Sequence, residues 1–168
     1  MKRTLMLCII VVLGLTFFYI HDSLSHSNSA PVIDCLSCHE GELKSDIVQV
    51  TGIPKAYTPG NSYKLRITVK SGLKADGESQ GGFAVEATAG KLIASDKKNT
   101  QISGTVLTHT LEGSRKRTWE FIWQAPKTGE DVSITVLVVA SNGDYSSFGE
   151  EIGAQSYSIK ASGKASGK

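Results

Sequence analysis

Between residues 63 and 70 apolar and polar side chains alternate without a break: Tyr63, Leu65, Ile67 and Val69 against Lys64, Arg66, Thr68 and Lys70. Side chains of an extended chain point to opposite faces in turn, so this stretch predicts a half-buried strand. The same period of two returns at 83–88, where Phe83, Val85 and Ala87 alternate with Ala84, Glu86 and Thr88, and at 117–124, where Trp119, Phe121 and Trp123 share one face. Residues 132–140 form a β-branched run, long enough for a central strand. Shorter strands are expected at 47–51, at 91–95 as a return after Gly90, at 105–110 around His109, and at 156–159 as a closing edge.

Turn chemistry separates these runs. Tyr57-Thr58-Pro59-Gly60 bends on its proline and glycine, Asn142-Gly143 is a tight turn, and residues 71–82, 95–100, 112–114, 127–130 and 149–155 read as loops, breaks or irregular chain. Seven or eight short strands at regular spacing predict an all-β fold, an immunoglobulin-like two-sheet β-sandwich of about a hundred residues. No helical period is sustained outside the first twenty residues and one turn near Cys35.

The amino terminus has a different pattern. Residues 1–4 are basic and 5–20 run apolar, interrupted by Gly14 and Thr16, which is the layout of a secretory signal or an uncleaved N-terminal membrane anchor. Cys8 lies too early to serve as a lipoprotein acceptor. The expected organisation is a leader and serine-rich spacer over 1–30, a cysteine-containing segment over 31–46, the sandwich over 47–160 and a disordered A-S-G-K tail over 161–168. Localisation is then exported: periplasmic, cell-surface or extracellular, with anchoring through 5–20 the alternative to cleavage.

Composition changes this picture little. A net charge of +2 gives no electrostatic case for nucleic acid. Three cysteines, one of them in the leader, are too few for a disulfide framework. There is no Ser-His-Asp order, no P-loop and no dinucleotide fingerprint, so no enzyme activity is expected.

Cys35-Leu36-Ser37-Cys38-His39 carries the candidate chemistry. C-x-x-C-H is the attachment pattern of haem c: two thiols add to the porphyrin vinyl groups, and the adjacent imidazole ligates the iron. On a helical turn Cys35, Cys38 and His39 share a face, with Asp34 as N-cap and Gly41 as terminator. Three other readings compete. A redox dithiol usually opens a helix in a β-α-β setting, whereas strands follow here. A zinc site lacks the second half of its ligand pattern. A disulfide across two residues closes only with strain.

If His39 is the proximal iron ligand, the sixth position must be filled or left open. The only methionines are Met1 and Met6, so a His/Met site is not available in the body of the chain. His21 and His26 fall in the spacer. His109 is the candidate distal ligand, against a vacant site, a lysine, a partner's ligand, or a merely structural hydrogen-bonded role for this histidine. Trp119, Phe121 and Trp123 are expected in the sandwich core rather than against a porphyrin. Lys97-Lys98 and Arg115-Lys116-Arg117 either dock an acidic redox partner or the haem propionates, or simply form a solvated face.

Four motifs occur in order: Tyr57-Thr58-Pro59-Gly60-x-x-Tyr63, Gly82-Phe83-Ala84-Val85-Glu86-Ala87, Thr108-His109-Thr110 and Trp119-x-Phe121-x-Trp123-x-Ala125-Pro126. Together, over residues 47–150, they resemble the Reeler-like extracellular β-sandwich domain, including bacterial relatives that carry a C-x-x-C-H segment ahead of it. The resemblance implies an immunoglobulin-like sandwich on an exported protein and no particular activity. It also implies that a histidine at the place of His109 exists in such domains without haem. The disulfides of animal members have no counterpart here.

Three functions follow as expectations. The first is an exported mono-haem cytochrome, with one covalent haem c, exchanging electrons with redox partner proteins. The second is a haem-based sensor or small-ligand binder with an open sixth position. The third is a non-haem envelope or adhesion domain in which Cys35 and Cys38 form a disulfide.

Overall fold

The computed structural model describes residues 30, 33, 34, 36, 39, 40, 43–144 and 146–162. The leader, Cys35, Cys38, Gly41 and the chain after 162 fall outside the described residues, as does most of the expected helical turn.

Eleven strands are described: β1 (Leu43–Lys44), β2 (Val48–Thr51), β3 (Ala56–Tyr57), β4 (Ser62–Val69), β5 (Gly81–Ala87), β6 (Lys91–Ile93), β7 (Thr100–Ser103), β8 (Val106–His109), β9 (Thr118–Gln124), β10 (Val132–Ala140) and β11 (Glu151–Ala161). One helical turn, α1 (Leu111–Ser114), follows β8 and is capped by the Thr110 side chain, which accepts from the Gly113 N–H. The strands form two sheets. The larger runs β1-β11-β10-β5-β8-β7, with β3 added along β11; the smaller runs β2-β4-β9-β6. The fold is the expected all-β sandwich.

Alternation places the core between the sheets. In the smaller sheet Leu65 faces Phe121 and Ile67 faces Trp119 across the β4–β9 pair, and all four are buried. The larger sheet answers with Phe83 and Val85 from β5 and with Ile134, Val136 and Val138 from β10. Fully burying an aliphatic or phenyl side chain of this size contributes about 1.5–3 kcal/mol. Tyr57 closes one end of this core, its hydroxyl donating to the Thr128 carbonyl at 2.9 Å.

The larger sheet also has an apolar outer face. Leu137, Val139 and Ile152 cluster there, and Ile33 packs on them. Ile33, ahead of the sandwich, therefore lies against the sheet.

Several expectations need correction. Residues 149–155 are not all irregular, and 156–159 is not a closing edge: β11 is one strand of eleven residues lying between β10 and the short parallel strands β1 and β3. It reaches Ala161, which pairs with Tyr57 and is buried, so the strand takes in the first residue assigned to the tail. β6 does not return along β5. It crosses to the other sheet and pairs with β9, where Leu92 lies opposite Trp123.

Candidate functional site

The site is built at one end of the larger sheet, where β8 runs beside β5. His109 is the last residue of β8 and is buried, with 7% of its surface exposed. The chain turns immediately afterwards into α1, and the Gly113 backbone closes on the His109 Cβ: a Cβ on Gly113 would stand 3.1 Å from it. The imidazole lies over Gly82, where a Cβ would come within 2.6 Å of Cε1. Only a residue without a side chain leaves room for the ring.

Every hydrogen bond that the described residues give this ring is at Nδ1. The Phe83 N–H lies 3.2 Å from it, the Phe83 carbonyl 3.3 Å and the Thr108 hydroxyl 3.2 Å. The Thr108 hydroxyl donates to the Phe83 carbonyl at 2.6 Å. Two tautomers are therefore served by the same backbone residue. With its proton on Nε2, His109 accepts from the Phe83 N–H; with its proton on Nδ1, it donates to the Phe83 carbonyl and Nε2 carries a free lone pair.

Burial pushes the proton affinity of His109 below that of an ordinary histidine; its contact with the Phe83 backbone works the other way, and the charge of His39 lowers it further. His39 thus acts on His109 through its charge, from a different part of the chain. Three contacts tie residues near His39 in sequence to the sandwich. The Ala30 N–H donates to the Thr108 hydroxyl at 3.0 Å, Ile33 packs on the outer face, and the Glu40 N–H donates to the Ser147 carbonyl at 3.0 Å. Ala30 and Ile33 are thus tied to the larger sheet, and Glu40 to the loop before β11.

There Nδ1 of His39 meets Oε2 of Glu150. The imidazole is about one-third exposed at 32%, whereas the Glu150 side chain is 5% exposed. Both atoms are buried and neither completes a hydrogen bond among the described residues, so what joins them is a charge contact. Glu150 carried no signal in the sequence. It is one of two adjacent glutamates, Glu150 and Glu151, in a stretch read as irregular, and only folding brings it to His39.

The other residues singled out from the sequence have structural roles. Trp119, Phe121 and Trp123 are core side chains, with the Trp119 indole donating to the Gly113 carbonyl at 2.8 Å and the Trp123 indole to the Ala89 carbonyl at 3.1 Å. The basic run 115–117 is not one solvated face. Arg115 pairs with Glu78 at 2.7 Å, while the Arg117 guanidinium turns inward to the carbonyls of Gln80, Ser71 and Ser141 at 2.9, 3.2 and 3.1 Å. Among the described residues no three His, Cys, Asp or Glu side chains converge as a metal-binding group. The thiols of the C-x-x-C-H pattern are not among those residues.

The donor types present are ones that a haem iron takes. Two imidazoles belong to different parts of the chain, one has Nε2 free of described partners, and the other has a buried carboxylate against its Nδ1. His39 and His109 would hold the iron, and Cys35 and Cys38 would carry the thioethers.

No protein-family model matches the chain, and no curated protein matches it. Among solved structures it is similar to the human F-spondin reeler domain, at 16% identity over 73% of this chain and 94% of that one, with a TM-score of 0.54. A second structure of that human domain matches at 21% identity, 77% and 99% coverage and a TM-score of 0.51. The Reelin-N domain of F-spondin matches at 19% identity, 76% and 94% coverage and a TM-score of 0.55. At such identities the likeness is one of architecture, and the sandwich described above has a Reeler-like fold.

Proposed function

We propose that this chain is an exported, non-catalytic β-sandwich module of the cell envelope. The leader pattern at 1–20 supports export, and the Reeler-like fold supports the module; this coarser reading has the more direct support from the comparisons.

Within it, the finer reading is a mono-haem c-type cytochrome. What supports it is the C-x-x-C-H pattern itself, together with a buried His109 on which the charge of His39 acts. When bound, a haem with two histidine ligands supplies low-potential one-electron chemistry. The chain's own part is to hold the segment over the sheet, present Nε2 of His109 and keep water from the buried side.

A specific observation favours the third, non-haem reading. The Phe83 N–H is placed to donate to Nδ1 of His109, and that tautomer needs no iron to satisfy the buried ring. The haem reading demands the proton on Nδ1 of His109, whereas the non-haem reading is satisfied with it on Nε2.

One experiment separates them. The chain is produced in a host equipped for thioether maturation, denatured, stained for haem and weighed. Added mass of one haem at the two thiols supports the cytochrome. A colourless polypeptide with Cys35 and Cys38 oxidised leaves the exported envelope module and removes the haem.

A further inference from the structure

Glu150 is a buried carboxylate whose partner is an imidazole. Among the described residues no lysine or arginine forms an ion pair with it; Lys44 pairs instead with the neighbouring Glu151, at 3.0 Å. A carboxylate kept from water without a cation needs a hydrogen-bond donor, and Nδ1 of His39 is the one that faces it.

The two sides of this contact are held with different firmness. Glu150 directly precedes β11, whose first residue, Glu151, is in register with Ala140 of β10. The loop leading to it is cross-tied: the Asn142 side chain donates to the Asp144 carboxylate at 3.0 Å and to the Phe148 carbonyl at 3.1 Å. His39 lies in no described strand, and its side chain is 32% exposed. The carboxylate therefore fixes the ring, and not the reverse.

We infer that Glu150 is a positioning residue for His39: its Oε2 serves as the acceptor for the Nδ1–H, fixing the tautomer and the ring plane in which Nε2 is presented as an iron ligand. This deepens the haem reading and rests on it. Ligating histidines commonly give their second ring N–H to such a partner, which orients the ring and raises its basicity. A full negative charge at Nδ1 strengthens donation through Nε2 and favours the ferric over the ferrous state.

The test compares the matured wild type with E150Q, E150A and, as a control, E151Q, whose native carboxylate serves Lys44 and Ser71. Haem content by mass is read first, and then the ferric-to-ferrous ratio in a poised redox titration. E150Q keeps the shape and loses the charge. It is expected to move that ratio about tenfold towards ferrous, which is about 59 mV for one electron. E150A should move it at least as far, and E151Q should leave it in place. In the diamagnetic ferrous protein, the Nδ1–H resonance of His39 should be protected from exchange in the wild type and lose that protection in E150A. If haem is attached and the E150Q and E150A ratios equal the wild type's, the role given to Glu150 is wrong and the haem reading stands. If the wild type carries no haem mass, the haem reading fails and takes this inference with it. Should E150A not fold, the isosteric E150Q alone decides.

Discussion

Phe83 and Trp119 lie with ring centroids 4.8 Å apart at an interplanar angle of 38°, joining the larger sheet to the smaller. Phe83 is also the residue whose backbone addresses His109, and its ring lies 6.2 Å from the imidazole. The core and the candidate site are thus built on one residue. Trp119→Ala removes a side chain 1% exposed together with its indole bond to Gly113. It should cost about 3–5 kcal/mol in denaturant unfolding, the range for emptying a large aromatic site. A cost below about 1 kcal/mol would mean that the sheets do not meet there.

Gly82 predicts the converse, an overpacked site. A methyl at this position must displace the His109 ring, because the Cβ would stand 2.6 Å from Cε1 and 3.1 Å from Nδ1. Gly82→Ala should destabilise by about 1–3 kcal/mol. It should also shift the His109 ring resonances more than those of Trp123, at the other end of the core. Unchanged His109 resonances would show that the ring does not lie over Gly82.

The strands read most easily from the sequence, β4, β9 and β10, are those whose packing enforces a period of two. The ones missed lack that signal for identifiable reasons. β7 offers one large apolar residue, Ile102, and its side chain is 47% exposed. β1 and β3 are two residues long and exist only because β11 gives them a partner. β11 itself is hidden by Gly153, Gln155, Ser156 and Ser158. Gly153 reads as a breaker, yet a Cβ there would stand 2.6–2.9 Å from the side chains of Val48, Ile47 and Val138, so tight packing accounts for the glycine. At the site, His39 and His109 were visible as residue types. Glu150 was not, because its partner comes from the far end of the chain.

Arg117 acts as a clamp. Its guanidinium donates to three backbone carbonyls: those of Ser71 and Gln80, near the two ends of the β4–β5 connection, and that of Ser141, just after β10. A lysine keeps the charge but cannot reproduce the planar fork. Arg117→Lys should destabilise by about 1.5–3 kcal/mol, the range for a charged hydrogen-bonding group lost from partly buried acceptors. It should also speed amide exchange at Asp76 and Ser141, whose N–H groups bond the Asn142 and Gln80 carbonyls at 2.8 and 3.1 Å. A stability equal to the wild type's would return Arg117 to the solvated face read from the sequence.

Acid stability has a cross-strand component. Lys64, with Nζ 2.6 Å from Glu120, and then Arg66, directly opposite on β4, hold the Glu120 carboxyl below the usual carboxylate range. A folded-state value below the unfolded one means that the native state binds fewer protons. The stabilisation is complete above the unfolded value of about 4.3 and disappears as pH falls through the lower, folded value. Wild type should therefore exceed E120Q in melting temperature at neutral pH, with the gap closing in acid and shrinking in high salt. A gap independent of pH would show that shape, not charge, sets the difference.

The histidine pair gives the most direct test of the site's chemistry. If both imidazoles are ligands in the matured protein, the sixth position is filled and the ferrous form does not take up carbon monoxide. His109→Ala removes one ligand and leaves the covalent attachment at Cys35 and Cys38 untouched. It should convert the six-coordinate spectrum to one that changes on addition of carbon monoxide, with haem mass retained. The variant should also lose about 1–3 kcal/mol of stability, because the Phe83 N–H loses its acceptor at Nδ1, whereas the Phe83 carbonyl keeps the Thr108 hydroxyl. These readouts are independent. A stability loss without carbon monoxide uptake, in protein that carries haem, would assign His109 to the sandwich alone and the sixth position to another group. Carbon monoxide uptake by the wild type itself would instead support the sensor, with His39 the sole protein ligand.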